Sequence, residues 1–447
     1  MTLGLLSCGY RLLSKVVNVN ATPKLVRKVI ATSCVLALAG PAGAASENHD
    51  EARVGQVVLP DVLQLTSGKR VANADEWRRL RRPEILRLFE TNVYGRSPSA
   101  PLQASYRQLS LDRKALHGLA TRKELAISLT GRPGGPEMHL LVYLPNHRKG
   151  RAPLFLGLNF HGNQSINLDP GIRVSTAWMG WSGSKHRATA ESRGREARRW
   201  PLETILARGY GVATAYYGDM FPDRADGLRD SIIPVMGAAR APDQWGAIAA
   251  WAWGLSRAMD YLVKDPDVEP GKIAVWGHSR LGKTALWAGA LDERFAMVIS
   301  NDSGEGGAAI ARRNFGETVA DLNREFPHWF AGNYKAFDGK PDALPVDQHM
   351  LIALMAPRPV YVASASEDLH ADPRGEFLAV REASPVYALF GKKTLAGAQM
   401  PKANHPLVAD LGYHMRSGPH DTTAYDWAQY LSFVDAKFGI SAGRRGR

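Results

Sequence analysis

Apolar positions along this chain switch between two spacings, and the switches recur from end to end. Runs that are apolar at nearly every position predict strands buried on both faces: His139-Leu-Leu-Val-Tyr-Leu144, Pro153-Leu-Phe-Leu-Gly-Leu-Asn-Phe160 and Gly211-Val-Ala-Thr-Ala-Tyr-Tyr217. Shorter runs at 273–276, 296–300 and 360–365 predict three more. Between them the apolar residues fall three and four apart, as a helix with one buried face requires. Helices are predicted at 76–91, 245–263, 280–289 and 422–437. The first has helical spacing of its apolar residues Trp77, Leu80, Ile85, Leu86, Leu88 and Phe89, and the third is packed by Leu281, Ala285 and Leu286. Short strands alternating with helices imply an α/β fold, a three-layer sandwich around a mostly parallel central sheet. No linker interrupts the pattern, so one domain is expected over 75–438, behind an extended polar segment at 45–74.

The first 44 residues do not follow this pattern. The basic cluster Lys24-Leu25-Val26-Arg27-Lys28 precedes an apolar run at 29–38, and small residues follow up to Ala44. That order predicts a secretory signal cleaved near Ala44 or Ala45. The apolar run is too short to span a bilayer, which needs about 20 residues. An exported protein is the expectation, with no membrane contact after cleavage. Both cysteines, Cys8 and Cys34, lie in this leader, so disulfides and thiolate chemistry are not expected in the mature chain. The leader also holds five basic residues and no acidic ones, lowering the net charge from +13 to +8. Part of that charge sits in a basic tail at 439–447. A basic exported protein suits an acidic polysaccharide. Nucleic acid is not expected as a partner, because no basic helix or aromatic-basic motif is present.

Gly277-His-Ser-Arg-Leu-Gly-Lys-Thr284 follows one predicted strand and opens the next helix. It satisfies the phosphate-cradling pattern G-x-x-x-x-G-K-[ST] in full. It also resembles a nucleophile elbow, a serine exposed on a sharp strand-to-helix turn, although the second glycine comes one residue late. Context favours the elbow. An exported protein meets little ATP or GTP, the motif lies late in the sheet, and nothing downstream suggests base recognition.

The elbow needs a base and an acid, since a serine hydroxyl is a weak nucleophile until an imidazole accepts its proton. The strand at 360–365 ends in Ser366-Glu367-Asp368, and His420 stands just before the last helix. Serine, acid after a late strand, then histidine is the chain order of serine hydrolases. His405 and His414 are rivals to His420. For the acid, Asp368 is preferred and Asp302 comes second, with Glu305 and Glu367 as neighbours able to serve. Arg280 follows the serine directly, so its N–H and guanidinium can face an oxyanion. Lys283, four residues on, should overhang the same helix face. The polar stretch at 171–200 is long enough to be a functional loop.

The chain resembles the glucuronoyl esterases, also called 4-O-methyl-glucuronoyl methylesterases, a family of carbohydrate esterases. The resemblance rests on Gly277-His-Ser-Arg-Leu-Gly-Lys283, Asn301-Asp-Ser-Gly-Glu-Gly-Gly307, Phe326-Pro-His-Trp-Phe330, Leu344-Pro-Val-Asp-Gln-His349, Ala356-Pro-Arg-Pro-Val360 and Glu367-Asp-Leu-His-Ala-Asp-Pro373. It covers nearly all of the mature chain and implies an α/β-hydrolase fold, no metal and no cofactor. It implies cleavage of esters joining glucuronate on xylan to lignin alcohols, with plant cell-wall polysaccharide as partner; a monomer is expected. It implies Ser279 as nucleophile, His420 as base, Arg280 as oxyanion donor and Lys283 as a contact for sugar hydroxyls. Counting without gaps from the serine, two further sugar contacts fall at Glu325 and Asn333. His370 stands where the family often has a tryptophan, and Trp329 or Trp181 could supply an aromatic platform instead. An esterase for another sugar ester, such as acetylated xylan, and a non-catalytic carbohydrate binder on the same fold are the alternatives.

Overall fold

The computed structural model describes residues 47–98, 105–132, 134–180, 185–237 and 241–440. The leader with Cys8 and Cys34, most of the basic tail, and Trp181 lie outside the described residues. A ten-stranded sheet runs through the molecule in the order β1-β2-β3-β5-β4-β6-β7-β8-β10-β9. In chain order the strands are β1 (Tyr106–Ala115), β2 (Ala120–Ser128), β3 (Glu137–Pro145), β4 (Ala152–Asn159) and β5 (Gly211–Tyr216), followed by β6 (Val268–His278), β7 (Met297–Asn301), β8 (Val360–Ala365), β9 (Leu407–Val408) and β10 (Leu411–Arg416). The strands from β5 through β4, β6, β7 and β8 to β10 pair in parallel, and the two flanks are antiparallel. Each predicted strand lies within one of these, save that Phe160, Tyr217 and Ala296 fall just outside.

The period of two along each strand builds two cores. Leu154, Leu156, Ile273 and Val275 face one layer, where they meet Ala247–Leu262, Arg280–Leu291 and Pro373–Glu382. Their neighbours Phe155, Ala274, Trp276 and Ile299 face the other layer and meet Leu202–Ala207 and Ala424–Phe438. Trp276 is wedged there between Trp200 and Trp427, with ring centroids 4.6 and 4.7 Å away. The helix expected at 76–91 runs from Ala74 to Tyr94 and buries Trp77, Ile85 and Phe89 in the first core.

Two regions differ from the sequence expectation. The antiparallel ribbon β1–β2 was not foreseen, because β1 is mostly solvent-facing and carries few apolar positions. The segment at 45–74 is also less detached than its polarity suggests: Val62, Leu63 and Val71 enter the first core. Among the described residues, no helix is long and apolar enough to cross a membrane.

All parallel strands end on one edge of the sheet, the edge where open α/β sheets place their ligands. β6 delivers Ser279 there, β7 delivers Asp302, β8 is followed by Asp368, and β10 is followed by the turn that carries His420.

Candidate active site

Ser279 adopts φ 57° and ψ −132°, a conformation that costs a non-glycine residue about 1–3 kcal/mol. Three backbone bonds hold it there: its N–H donates to Asn301 O at 2.9 Å, and its carbonyl accepts from Gly282 and Lys283 at 2.8 and 3.2 Å. The turn explains both glycines. A Cβ at Gly277 would lie 1.9 Å from Leu281 O, and one at Gly282 would lie 3.0 Å from Ser303 Cβ. The late glycine therefore lets the helix pack against the segment after β7. Leu281 can occupy the position before it because its side chain points into the first core.

His420 lies on the turn between β10 and the last helix, with its side chain 39% exposed. Its Nδ1–H donates to Asp368 Oδ2 at 2.5 Å, and Asp368 is only 4% exposed. That bond leaves Nε2 as the basic nitrogen. Arg416, at the end of β10, donates to Pro419 O and Asp421 O, both at 2.6 Å, and to Asp426 at 3.0 Å. One buried guanidinium thus pins the turn carrying His420.

Asp302 is buried beside this pair. Its Oδ2 accepts from Asp421 N–H at 3.3 Å and from Arg416 at 3.4 Å, while Oδ1 has no hydrogen-bond partner. Burial, with repulsion from Glu376 and Asp368, pushes its carboxyl well above the usual carboxylate range. Among the described residues, the ligand atoms of Asp302, Asp368 and His420 gather within 4.8 Å. Asp368 and His420 satisfy each other.

The other candidates sit elsewhere. Glu305 is buried against Tyr334 Oη at 2.8 Å, and desolvation raises its carboxyl to about 8. Glu367 is exposed. His414 is fully buried between Tyr361 Oη and Asp426, and His405 turns back onto Ala403 O.

Arg280 is braced by Asp223, to which it donates. Asp223 also accepts from His328 Nε2 at 2.8 Å, Trp329 Nε1 at 2.7 Å and Tyr217 Oη at 3.1 Å. Burial pushes Asp223 up, but the His328 bond, the Arg280 charge and the Trp329 N–H outweigh it and bring the carboxyl to about 2. The guanidinium lies 4.7 Å from the Trp329 ring and 5.4 Å from Phe326. Little in the sequence marks Asp223, because Phe221-Pro-Asp-Arg-Ala-Asp-Gly227 reads as an ordinary polar turn. Its one signal is position, just beyond a buried parallel strand.

Lys283 is buried, donating to Glu305 O at 2.5 Å and lying 3.2 Å from Glu317 Oε2. Burial opposes the ionisation of Glu317, yet Lys283 and His370 together hold it below the usual carboxylate range. His370 lies 3.3 Å from Glu317 Oε1 and 2.8 Å from Glu47 Oε1. The Glu317 hydrogen bond raises its imidazole to about 9, against the effect of burial.

Two cavities meet at Ser279, Arg280 and His420. One, of about 350 Å³, is lined by Lys283, Glu317, Phe326, Trp329, Asp368 and His370 among others. The second, of about 410 Å³, is lined by Phe160, His161, Arg195, Glu196, Arg199 and His278. Arg195, Glu196 and Arg199 come from the long loop at 171–200.

Glu325 and Asn333 are not brought to either cavity, which corrects the placement obtained by gap-free counting. Glu325 ends the helix Val319–Glu325 on its outer face, 52% exposed and paired with Arg324. The Asn333 amide donates to Thr91 O instead. Glu317, which gap-free counting passed over, occupies the cavity wall beside Lys283.

A family model described as glucuronyl esterase, fungi, matches residues 240–391. A carbohydrate esterase from an unknown prokaryotic organism is 47% identical over 401 residues, 87% of this chain and 91% of that protein. A solved glucuronoyl esterase from Solibacter usitatus superposes with a TM-score of 0.83 at 49% identity, over 87% of this chain and 100% of the other. A promiscuous CE15 esterase from a marine bacterial metagenome gives a TM-score of 0.83 at 46% identity, over 87% and 99% of the two chains.

Proposed function

This chain belongs to the glucuronoyl esterases, a family of carboxylic ester hydrolases with the α/β-hydrolase fold, and from that premise we propose that it is an exported serine esterase cleaving 4-O-methyl-glucuronoyl esters between xylan and lignin alcohols. The observation that carries the reading is the His420 Nδ1–Asp368 bond at 2.5 Å, on a histidine that borders the same two cavities as the strained Ser279.

In this reading His420 Nε2 takes the Ser279 hydroxyl proton as Oγ attacks the ester carbonyl. Asp368 stabilises the imidazolium that forms. The oxyanion is met by the Arg280 N–H at the helix start and by the guanidinium that Asp223 braces. His420 returns the proton to the leaving alcohol, and an acyl-enzyme ester remains on Ser279. Water then attacks, its proton passing to His420, and uronate is released with the Ser279 hydroxyl restored. Asp302, buried and favoured in its neutral form, supports the loop through the Asp421 N–H rather than acting as the acid.

The sugar ring belongs in the cavity of Lys283 and Glu317, where a donor and an acceptor stand side by side for its hydroxyls. Trp329 and Phe326, stacked at 3.8 Å, give that cavity an apolar wall. The alcohol belongs in the cavity of Phe160 and His161. Export follows from the basic and apolar order of the leader.

The test is turnover of benzyl glucuronate, benzyl galacturonate and acetylated xylan by the purified protein, with fluorophosphonate labelling of Ser279 read by mass. Preference for the glucuronate ester with stoichiometric label is expected. Failure to turn over any ester, or a label elsewhere, would overturn the mechanism. A broader reading, an esterase accepting other sugar esters, is favoured by the relative described as promiscuous, and equal rates on all three substrates would establish it.

A further inference from the structure

Residues 47–53 lie as a strap across two loops that wall the cavity of Lys283. Gly316 N–H donates to Asn48 O at 2.9 Å, and the Asn48 amide reaches Asn314 O at 3.4 Å. The Glu51 carboxylate binds Arg313 at 2.6 Å, and Arg313 in turn binds Asp372 at 2.7 Å. The two walls are themselves in close register: Glu317 N–H donates to His370 O at 2.9 Å, and a Cβ on Gly316 would lie 2.4 Å from that same oxygen.

At the head of the strap stands Glu47. Its Oε2 is held by His49 at 2.9 Å, and its Oε1 meets His370 Nδ1 at 2.8 Å. The other ring nitrogen of His370 lies 3.3 Å from Glu317 Oε1, and Glu317 Oε2 lies 3.2 Å from Lys283 Nζ. Charges alternate along this line, from the strap into the helix that Ser279 opens. His370 is the weak member, 50% exposed and anchored by carboxylates on both sides, whereas Glu317 is 6% exposed.

We propose that Glu47 is a positioning residue for the sugar-side cavity: by clamping His370 it fixes Glu317 beside Lys283, whose ammonium is held independently by Glu305 O, in the geometry that receives uronate hydroxyls. This rests on the assignment of that cavity to the sugar ring. Without the Glu47 carboxylate, His370 keeps one anchor and is free to rotate toward water. Glu317 then shares its charge between a fixed lysine and a moving imidazolium. The strap itself stays attached through Asn48 and Glu51, so the effect belongs to one carboxylate rather than to the whole segment.

The test compares Glu47→Gln, Glu47→Asp and Glu51→Gln in the full-length protein on two substrates. Benzyl glucuronate fills the cavity, whereas p-nitrophenyl acetate reaches Ser279 without a sugar. Glu47→Gln is expected to raise KM for the glucuronate ester roughly two- to fivefold, the range for a partly exposed ion pair, with kcat within about 1.5-fold and the acetate ester unaffected. Glu47→Asp should recover part of the loss, and Glu51→Gln should change KM less than about twofold. Unchanged KM in Glu47→Gln, or equal losses on both substrates, would overturn the proposal. Wild-type turnover of the acetate ester with none of the glucuronate ester would instead remove the functional reading, and this inference with it.

Discussion

The two cavities that meet at Ser279 hold their polar groups in different ways. On one side the inner charges are paired below the surface, and only His370 among the cavity's ion pairs with Lys283 and Glu317 is half exposed. Lys283 and Glu317 are 4% and 6% exposed, and Asp223, which braces Arg280, is 3% exposed. On the other side His161 and Glu196 stand 3.5 Å apart, 15% and 11% exposed, while Arg195 is exposed. The first arrangement presents donors and acceptors that cannot rearrange at modest cost, because freeing either member of a buried pair strands the other. The second can adjust to what enters. A rigid pocket beside a compliant one suits a substrate whose acyl half is constant and whose alcohol half varies.

The largest effect should erase the comparison altogether. Ser279→Ala removes the atom both cavities share, and kcat should fall about 10⁴- to 10⁶-fold on every ester, measured by initial rates. Replacing the two carboxylates one at a time separates their roles. Asp368→Asn should lower kcat about 10³- to 10⁴-fold by disordering the His420 tautomer, whereas Asp302→Asn should cost less than about tenfold, since Asp302 favours its neutral form. Equal losses in the two variants would make the carboxylates joint partners of His420.

The contrast between the cavities is sharpened by Lys283→Met and Arg195→Ala. The first should raise KM for benzyl glucuronate about 10- to 100-fold, because it strands the Glu317 carboxylate as well as losing a donor. The second should change KM less than about threefold, as expected of an exposed charge. The smallest effect is a pH dependence. His370 is raised to about 9 from an ordinary value of 6.5 by Glu317 and Glu47. A raised histidine stabilises the fold fully below about pH 6.5 and loses that contribution as pH rises through about 9. The thermal midpoint should therefore fall by about 1–2 °C more between pH 8 and 10 in the wild type than in His370→Asn, a small shift because the imidazole is half exposed.

The strands and the elbow at Ser279 were legible because each rests on local pattern, and chain order pointed to Asp368 and His420, which line the same cavity. β4, β5 and β8 and the 273–276 part of β6 are apolar at nearly every position, and the elbow needs only a strand, a turn and a helix within a dozen residues. Glu325 and Asn333 were misplaced for a physical reason. Between Gly307 and Tyr334 the chain turns through a short helix whose inward positions are Val319, Leu322 and Asn323, so a count along the sequence does not follow a path through space. Asp223 and Glu47 were invisible for another. Each acts on a residue far away in sequence, and a single carboxylate in a polar turn carries no periodicity to betray it. The β1–β2 ribbon failed for want of contrast, its solvent face leaving too few apolar positions to mark a strand.

The depth of Lys283 has a practical side for anyone fixing this protein to a solid support. Amine-reactive resins attach through exposed lysines such as Lys69, 59% exposed, and the lysine beside Ser279 lies out of their reach at 4%. The chain also carries no cysteine after Cys34. In a chain expressed without residues 1–44, a single thiol introduced on the surface opposite the sheet edge would be the sole such handle, and every molecule would be tethered with its cavities facing the flow.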